Sequence, residues 1–194
     1  NSCPVVFEDL VIINGDHDGD AYIVALDCNT GKEKWRILRE NKTRSYVTPI
    51  IREIKGRTQM LLSGSLSVAS YDPRTGKRHW VLDGPTEQFV ASMVYNGKYV
   101  FVTGGYPERH ILAIKPDGTG NITDTHIAWR TTRGAAYVPS PVVVGRYLLI
   151  VADSGIASCF DAMSGKRHWQ ERLPGGHSPS PVSVNGLVYF TSDR

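Results

Sequence analysis

Three aspartates alternate in the stretch GDHDGDAYIVALD, at Asp16, Asp18 and Asp20, and Asp27 stands twelfth counting from Asp16. Carboxylates at every second position, closed by an acid at the twelfth, are how a calcium-binding loop presents its oxygens. The match is incomplete. The sixth position, where such a loop turns on glycine, is Ala21, and the residues after it form the β-branched, apolar run of a strand. The polar tip of a hairpin accounts for the same stretch, so Asp16, Asp18 and Asp20 are a partial metal candidate and no complete metal site is read. His17, His110 and His126 lack ligand spacing. Cys3, Cys28 and Cys159 are odd in number, far apart and without a C-x-x-C pair, which indicates neither a disulfide framework nor a zinc site. No G-x-S-x-G, H-E-x-x-H or phosphate-loop pattern occurs, so no catalytic residue is assigned.

A second constellation repeats along the chain. The segments SYVTPI, QFVASM, AYVPSPV and GHSPSPV each precede an apolar run, and they put Tyr46, Phe89, Tyr137 and His177 at one position of successive units, with Arg44, Glu87 and Gln88 beside them. Aromatic walls carrying a few polar groups suit a flat small molecule or a peptide. The alternative is that these aromatics only pack the ends of neighbouring units together. The pentapeptide GKRHW also occurs twice, at Gly76 to Trp80 and Gly165 to Trp169, and its role depends on the elements that carry it.

Those elements follow from composition and repetition. The chain has 194 residues, of which 41% are hydrophobic, enough for a sizeable core. Its 22 Lys and Arg against 19 Asp and Glu are scattered, so nucleic acid is not an expected partner. No apolar run reaches the roughly 20 residues of a transmembrane helix. Aligning the tryptophans gives ALDCNTGKEKW, SYDPRTGKRHW and CFDAMSGKRHW, all reading D-x-x-[TS]-G-x-x-x-W, and a looser copy, AIKPDGTGNITDTHIAW, in which Trp129 stands nine positions after Gly120 where the others stand four after their glycine. Two short apolar stretches around a tight turn precede each copy. Each unit of about 45 residues therefore holds four strands, and a four-stranded meander buries both faces only by stacking on copies of itself around an axis. The fold class expected is all-β, a β-propeller of four-stranded antiparallel blades at roughly 1–40, 45–84, 88–132 and 136–173, with a half blade at 177–194. Four and a half blades do not close a ring, so the sequence is expected to be part of a longer propeller. The sequons at Asn41-Lys42-Thr43 and Asn121-Ile122-Thr123 matter only in a eukaryotic secretory setting.

The motif A-x-D-x-x-T-G-x-x-x-W resembles the tryptophan-docking repeat of the pyrroloquinoline-quinone (PQQ)-like propeller family, which contains quinoprotein dehydrogenases and non-catalytic relatives of the outer-membrane assembly machinery. The resemblance implies seven or eight blades and makes Trp35, Trp80, Trp129 and Trp169 staples between neighbouring blades. It implies a bacterial, periplasmic or otherwise extracytoplasmic setting. It leaves two functions open: a scaffolding module that binds a protein, a peptide or a small molecule at the channel mouth, or part of an alcohol or sugar dehydrogenase using PQQ and calcium. The adjacent cysteine pair found in many of the dehydrogenases is not in this sequence. Fold alone does not imply chemistry, and the absence of a catalytic constellation favours scaffolding, with the channel rim at Tyr46, Phe89, Tyr137, His177, Arg44 and Glu87 as the place to look.

Overall fold

A computed structural model describes residues 2–41, 43–84 and 86–193; Lys42 of the first sequon lies outside them. Strands β1 (Val5–Phe7), β2 (Leu10–Gly15), β3 (Tyr22–Asp27) and β4 (Glu33–Leu38) pair in that order as an antiparallel sheet. The alternation that predicts β2 is plain in its burial, with Leu10, Ile12 and Asn14 inward and the residues between them half-buried. The second sheet contains β5 (Ile50–Ile54), β6 (Arg57–Gly64), β7 (Ser67–Tyr71) and β8 (Arg78–Asp83). The third is built from β9 (Val94–Tyr95), β10 (Val100–Gly104), β11 (His110–Ile114) and β13 (Ile127–Thr131). The fourth is β14 (Val142–Val144), β15 (Tyr147–Val151), β16 (Ile156–Asp161) and β17 (Arg167–Arg172), and β18 (Val182–Val184) pairs with β19 (Leu187–Tyr189). Among the described residues no helix is long and apolar enough to cross a membrane.

The repeated motif is the turn between the last two strands of a blade. Asp27 Oδ1 accepts from the backbone of Asn29 and Thr30 and from the Thr30 hydroxyl at 2.8–3.1 Å, and Gly31 takes the left-handed φ of 68° that closes the loop. Asp161 does the same with Met163 and Ser164, again followed by a left-handed Gly165. Four charge-assisted bonds explain the acidity: Lys34 and Thr30 hold the Asp27 carboxyl down to about 2, and Arg146 and Ser164 hold Asp161 lower still.

Each tryptophan stands opposite a small residue of its own sheet, Ala25 with Trp35, Ser70 with Trp80, Ala113 with Trp129 and Cys159 with Trp169. Its indole reaches the next sheet. Trp35 Nε1 donates to Pro73 O at 3.1 Å, Trp80 Nε1 to Pro116 O at 3.2 Å, and Trp129 Nε1 to Ala162 O at 3.0 Å. The ring lies on the turn glycine, where a Cβ on Gly76 would come within 2.8 Å of Trp35 and one on Gly165 within 2.6 Å of Trp129. Trp169, at 40% exposure, has no such bond among the described residues.

The long third turn changes the second sheet. Its extra residues form β12 (Gly120–Asn121), which adds to β8 in parallel, so the second sheet has five strands where four are expected from the repeat. Ile122 then enters the core beside Trp80, and Thr123 Oγ1 accepts from Asp83 N at 2.9 Å. An otherwise open edge strand is thereby covered. One apolar cluster runs through the first three sheets, around Trp80, Met60, Leu61 and Phe89, and a second joins the third and fourth sheets through Phe101, Ile111 and Phe160.

Candidate functional site

The segments that lead into the first strand of each blade lie at the same end of the sheets as the β2–β3 and β10–β11 hairpins, and together they form a rim. Cross-strand pairing sets the equivalences: Val5, Ile50, Val94, Val142 and Val182 face Ile12, Leu61, Phe101, Leu149 and Tyr189 respectively. Counting back five residues gives Ser45, Phe89, Tyr137 and His177, so Tyr46 is displaced by one from the position expected in the sequence. Aligning by aromatic type, without the register, produces that slip.

The displaced residue and its supposed equivalents behave differently. Phe89 is 0% exposed and belongs to the core, and its carbonyl accepts from Tyr46 N at 3.0 Å. His177 is 2% exposed, with Nδ1 2.8 Å from Thr191 O and Nε2 3.2 Å from Pro174 O. Both are therefore corrected from rim groups to packing groups, because burial and backbone contacts leave them no face for a ligand. Tyr46, Tyr137, Arg44 and Glu87 keep accessible surface, Arg44 and Glu87 being exposed.

The structure brings Tyr46 and Tyr137 together and adds a residue that the repeat does not reveal. Tyr106, 57% exposed at the tip of the β10–β11 hairpin, forms a bridge with Gln88, whose side-chain oxygen is 3.4 Å from the Tyr137 hydroxyl. Burial, then the neighbouring Tyr46, Asp153 and Tyr106, pushes the Tyr137 phenol up, while Arg109 acts in the opposite sense. Tyr137 thus stays a neutral donor with apolar ring surface. Arg44 is hydrogen-bonded to Asp18 and lies beside Tyr46, and Arg109 NH1 is 3.8 Å from Asp153 Oδ2. Three phenols and two guanidiniums converge on this stretch of the rim.

Three aspartates near it are engaged. Asp16 accepts from Arg39 Nε at 2.9 Å in a pair with 0% and 4% side-chain exposure, and Arg39 also bonds Tyr71 Oη and Gly64 O, each at 2.9 Å. Burial outweighs the guanidinium and pushes the Asp16 carboxyl above its ordinary value. Asp153 accepts from the backbone of Tyr137 and Val138 at 2.9 and 3.0 Å, and Asp193 does likewise for Ser178 at 2.8 Å. Of the partial metal candidate, Asp16 serves Arg39 and Asp18 serves Arg44, and no group of three acidic or metal-ligating side chains gathers among the described residues.

Below the phenols, two residues before each first strand, a hydroxyl recurs. Thr48 Oγ1 accepts from Cys3 N at 3.1 Å, Ser140 Oγ from Ser92 N at 2.9 Å and Ser180 Oγ from Ser140 N at 2.9 Å. The T-P, S-M and S-P pairs ahead of the strands were the available signal for this blade-to-blade link.

Comparison with known proteins agrees with this architecture. The chain is 31% identical over 110 residues to a lanthanide-dependent methanol dehydrogenase of Methylacidiphilum fumariolicum (strain SolV), a match covering 50% of this chain and 18% of that protein. BamB from Moraxella catarrhalis superposes with a TM-score of 0.67 at 18% identity, over 98% of this chain and 54% of that one. Quinohemoprotein alcohol dehydrogenase from Comamonas testosteroni gives 0.63 at 11% identity, over 97% and 38%. The chain thus spans a fifth to about half of the length of these relatives, and the two structural likenesses establish the propeller fold. A family profile described as outer membrane protein assembly factor BamB matches residues 1–170 and, in a second match, 90–194. Tryptophan-to-turn contacts, four-stranded blades and a profile match across the whole length place this chain in that PQQ-like propeller family.

Proposed function

We propose that this chain is part of a non-catalytic, extracytoplasmic binding propeller that seats a protein or peptide partner on the rim around Tyr46, Tyr106 and Tyr137. The observation that carries the proposal is the convergence of three phenols with Arg44 and Arg109. Tyrosine and arginine supply large, rigid contact area with a polar end, and they dominate protein-binding hot spots. The family description, an outer-membrane assembly factor, supports both a protein partner and a periplasmic location. A photo-crosslinking residue at Tyr46 or Tyr106 of the full-length protein, expressed in its own cells, should capture one discrete partner, and the same residue at Lys34 on β4 should not. Equal capture from Lys34, or none from the rim, overturns the proposal.

A second reading, part of a PQQ-dependent dehydrogenase, is favoured by the methanol dehydrogenase match. PQQ would supply a hydride acceptor, with a metal ion to polarise it. Against it, Asp16, Asp18 and Asp153 are each already engaged by a guanidinium or by backbone N–H groups.

A further inference from the structure

Away from the rim, at the opposite end of the sheets, the third blade departs from its own repeat. Asp27, Asp72 and Asp161 open the turn in three blades, and the register gives Lys115 that place in the third. Ala113 pairs with Trp129 as Ser70 pairs with Trp80, and Lys115 N donates to His126 O at 2.9 Å as Asp72 N donates to Lys77 O at 2.8 Å. A carboxylate that elsewhere caps the turn is thus replaced by an ammonium. The β5–β6 hairpin has five paired positions where β1–β2 has three, and this extension carries Lys55 across to the third blade. Lys98 arrives from the β9–β10 turn.

The three lysines line a surface pocket of about 220 Å³ together with Tyr95 and Tyr99. Its floor is rigid: Ile54 and Tyr99 are buried, and the Pro116 carbonyl is held by Gln59 Nε2 at 2.9 Å and Trp80 Nε1 at 3.2 Å. One carboxylate enters the pocket, Asp117, which is hydrogen-bonded to Lys55 and lies 3.9 Å from His126 Nε2. Among the described residues Lys98 and Lys115 have no carboxylate partner; the Lys98 ammonium lies 5.4 Å from the Tyr99 ring centre. Like charges gathered in a concave site, two of the three without a carboxylate partner, are stabilised by an anion from outside.

We propose that this pocket binds a compact, multivalent oxyanion of the phosphate type between Lys98 and Lys115, with Lys55 completing the cradle. A soluble phosphate ester and a phospholipid headgroup share that chemistry. The test uses full-length protein, titrated with inorganic pyrophosphate against sodium chloride of equal ionic strength and, separately, sedimented with phosphatidylglycerol or phosphatidylcholine vesicles. Pyrophosphate should bind saturably, and Lys115→Asp, which restores the aspartate of the repeat, should weaken binding by at least about tenfold. Lys98→Ala, on an exposed turn, should weaken it several-fold and decides the matter should the first variant fail to fold. Binding to pyrophosphate alone assigns a soluble ligand, and Lys115-dependent binding to phosphatidylglycerol vesicles assigns a headgroup. No saturable binding to either, or binding that both variants leave unchanged, overturns the proposal.

Discussion

Replacing Trp80 with alanine tests the packing logic of the blades at its most buried point. Trp80 is 0% exposed, and its Nε1 donates both to Gln59 Oε1 at 2.9 Å and to Pro116 O at 3.2 Å. Removing a buried tryptophan side chain costs about 3–5 kcal/mol. Neither acceptor is orphaned, because Ser70 Oγ still donates to Gln59 Oε1 at 2.7 Å and Gln59 Nε2 to Pro116 O at 2.9 Å, so no large desolvation penalty is added. The expected cost is therefore about 4 kcal/mol, roughly a quarter or more of the stability of an ordinary domain. Trp80→Phe loses the donor and the indole's second ring, so its cost should lie between that of one hydrogen bond, about 1 kcal/mol, and the alanine value. Urea unfolding of the full-length protein, followed by circular dichroism, reads both values. A Trp80→Ala cost below about 1 kcal/mol would refute the idea that the indole joins the second and third sheets.

Two further perturbations probe the turns and the rim. Asp161 is held well below its ordinary value by Arg146 and Ser164, so it stabilises the fold above the unfolded carboxyl's titration and loses that contribution as pH falls through the folded one. The stability gap between the parent and Asp161→Asn, measured by denaturant unfolding, should be constant above about pH 4 and shrink below it; a gap that widens in acid contradicts the assignment. Arg39→Met leaves the buried Asp16 carboxylate without its guanidinium and should cost about 3–5 kcal/mol, most of it recovered when Asp16→Asn is added. A double variant as unstable as the sum of the two singles would show that the pair is not coupled.

What was legible in the sequence had a local cause. The D-x-x-[TS]-G-x-x-x-W motif encodes a side-chain-capped turn and a fixed number of residues to the tryptophan, and those two constraints align Trp35, Trp80 and Trp169 opposite Ala25, Ser70 and Cys159. The rim was less legible because its backbone is irregular, and side-chain direction there is set by contacts distant in sequence. Phe89 and His177 are buried, as is their register equivalent Ser45, whereas Tyr137 keeps accessible surface, and Tyr106 sits on a hairpin tip outside the repeated motif. Asp16 and Arg39 are 23 residues apart with no pattern linking them, so the carboxylate looked like half of a calcium loop when it is one side of a buried ion pair. For β12 the signal existed, a glycine-to-tryptophan step of nine positions where the other motifs have four, with Ile122 standing apolar in a polar run. Its docking on the neighbouring sheet needed the structure.

The two proposed functions separate on one measurement. Full-length protein is titrated with PQQ in the presence of calcium or a lanthanide, following intrinsic tryptophan fluorescence, and then assayed with methanol and an artificial electron acceptor. The binding-propeller account, with rim carboxylates engaged by Arg39, Arg44 and backbone N–H groups, predicts no saturable quenching and no acceptor reduction. Stoichiometric uptake of the cofactor with alcohol-dependent turnover would contradict it.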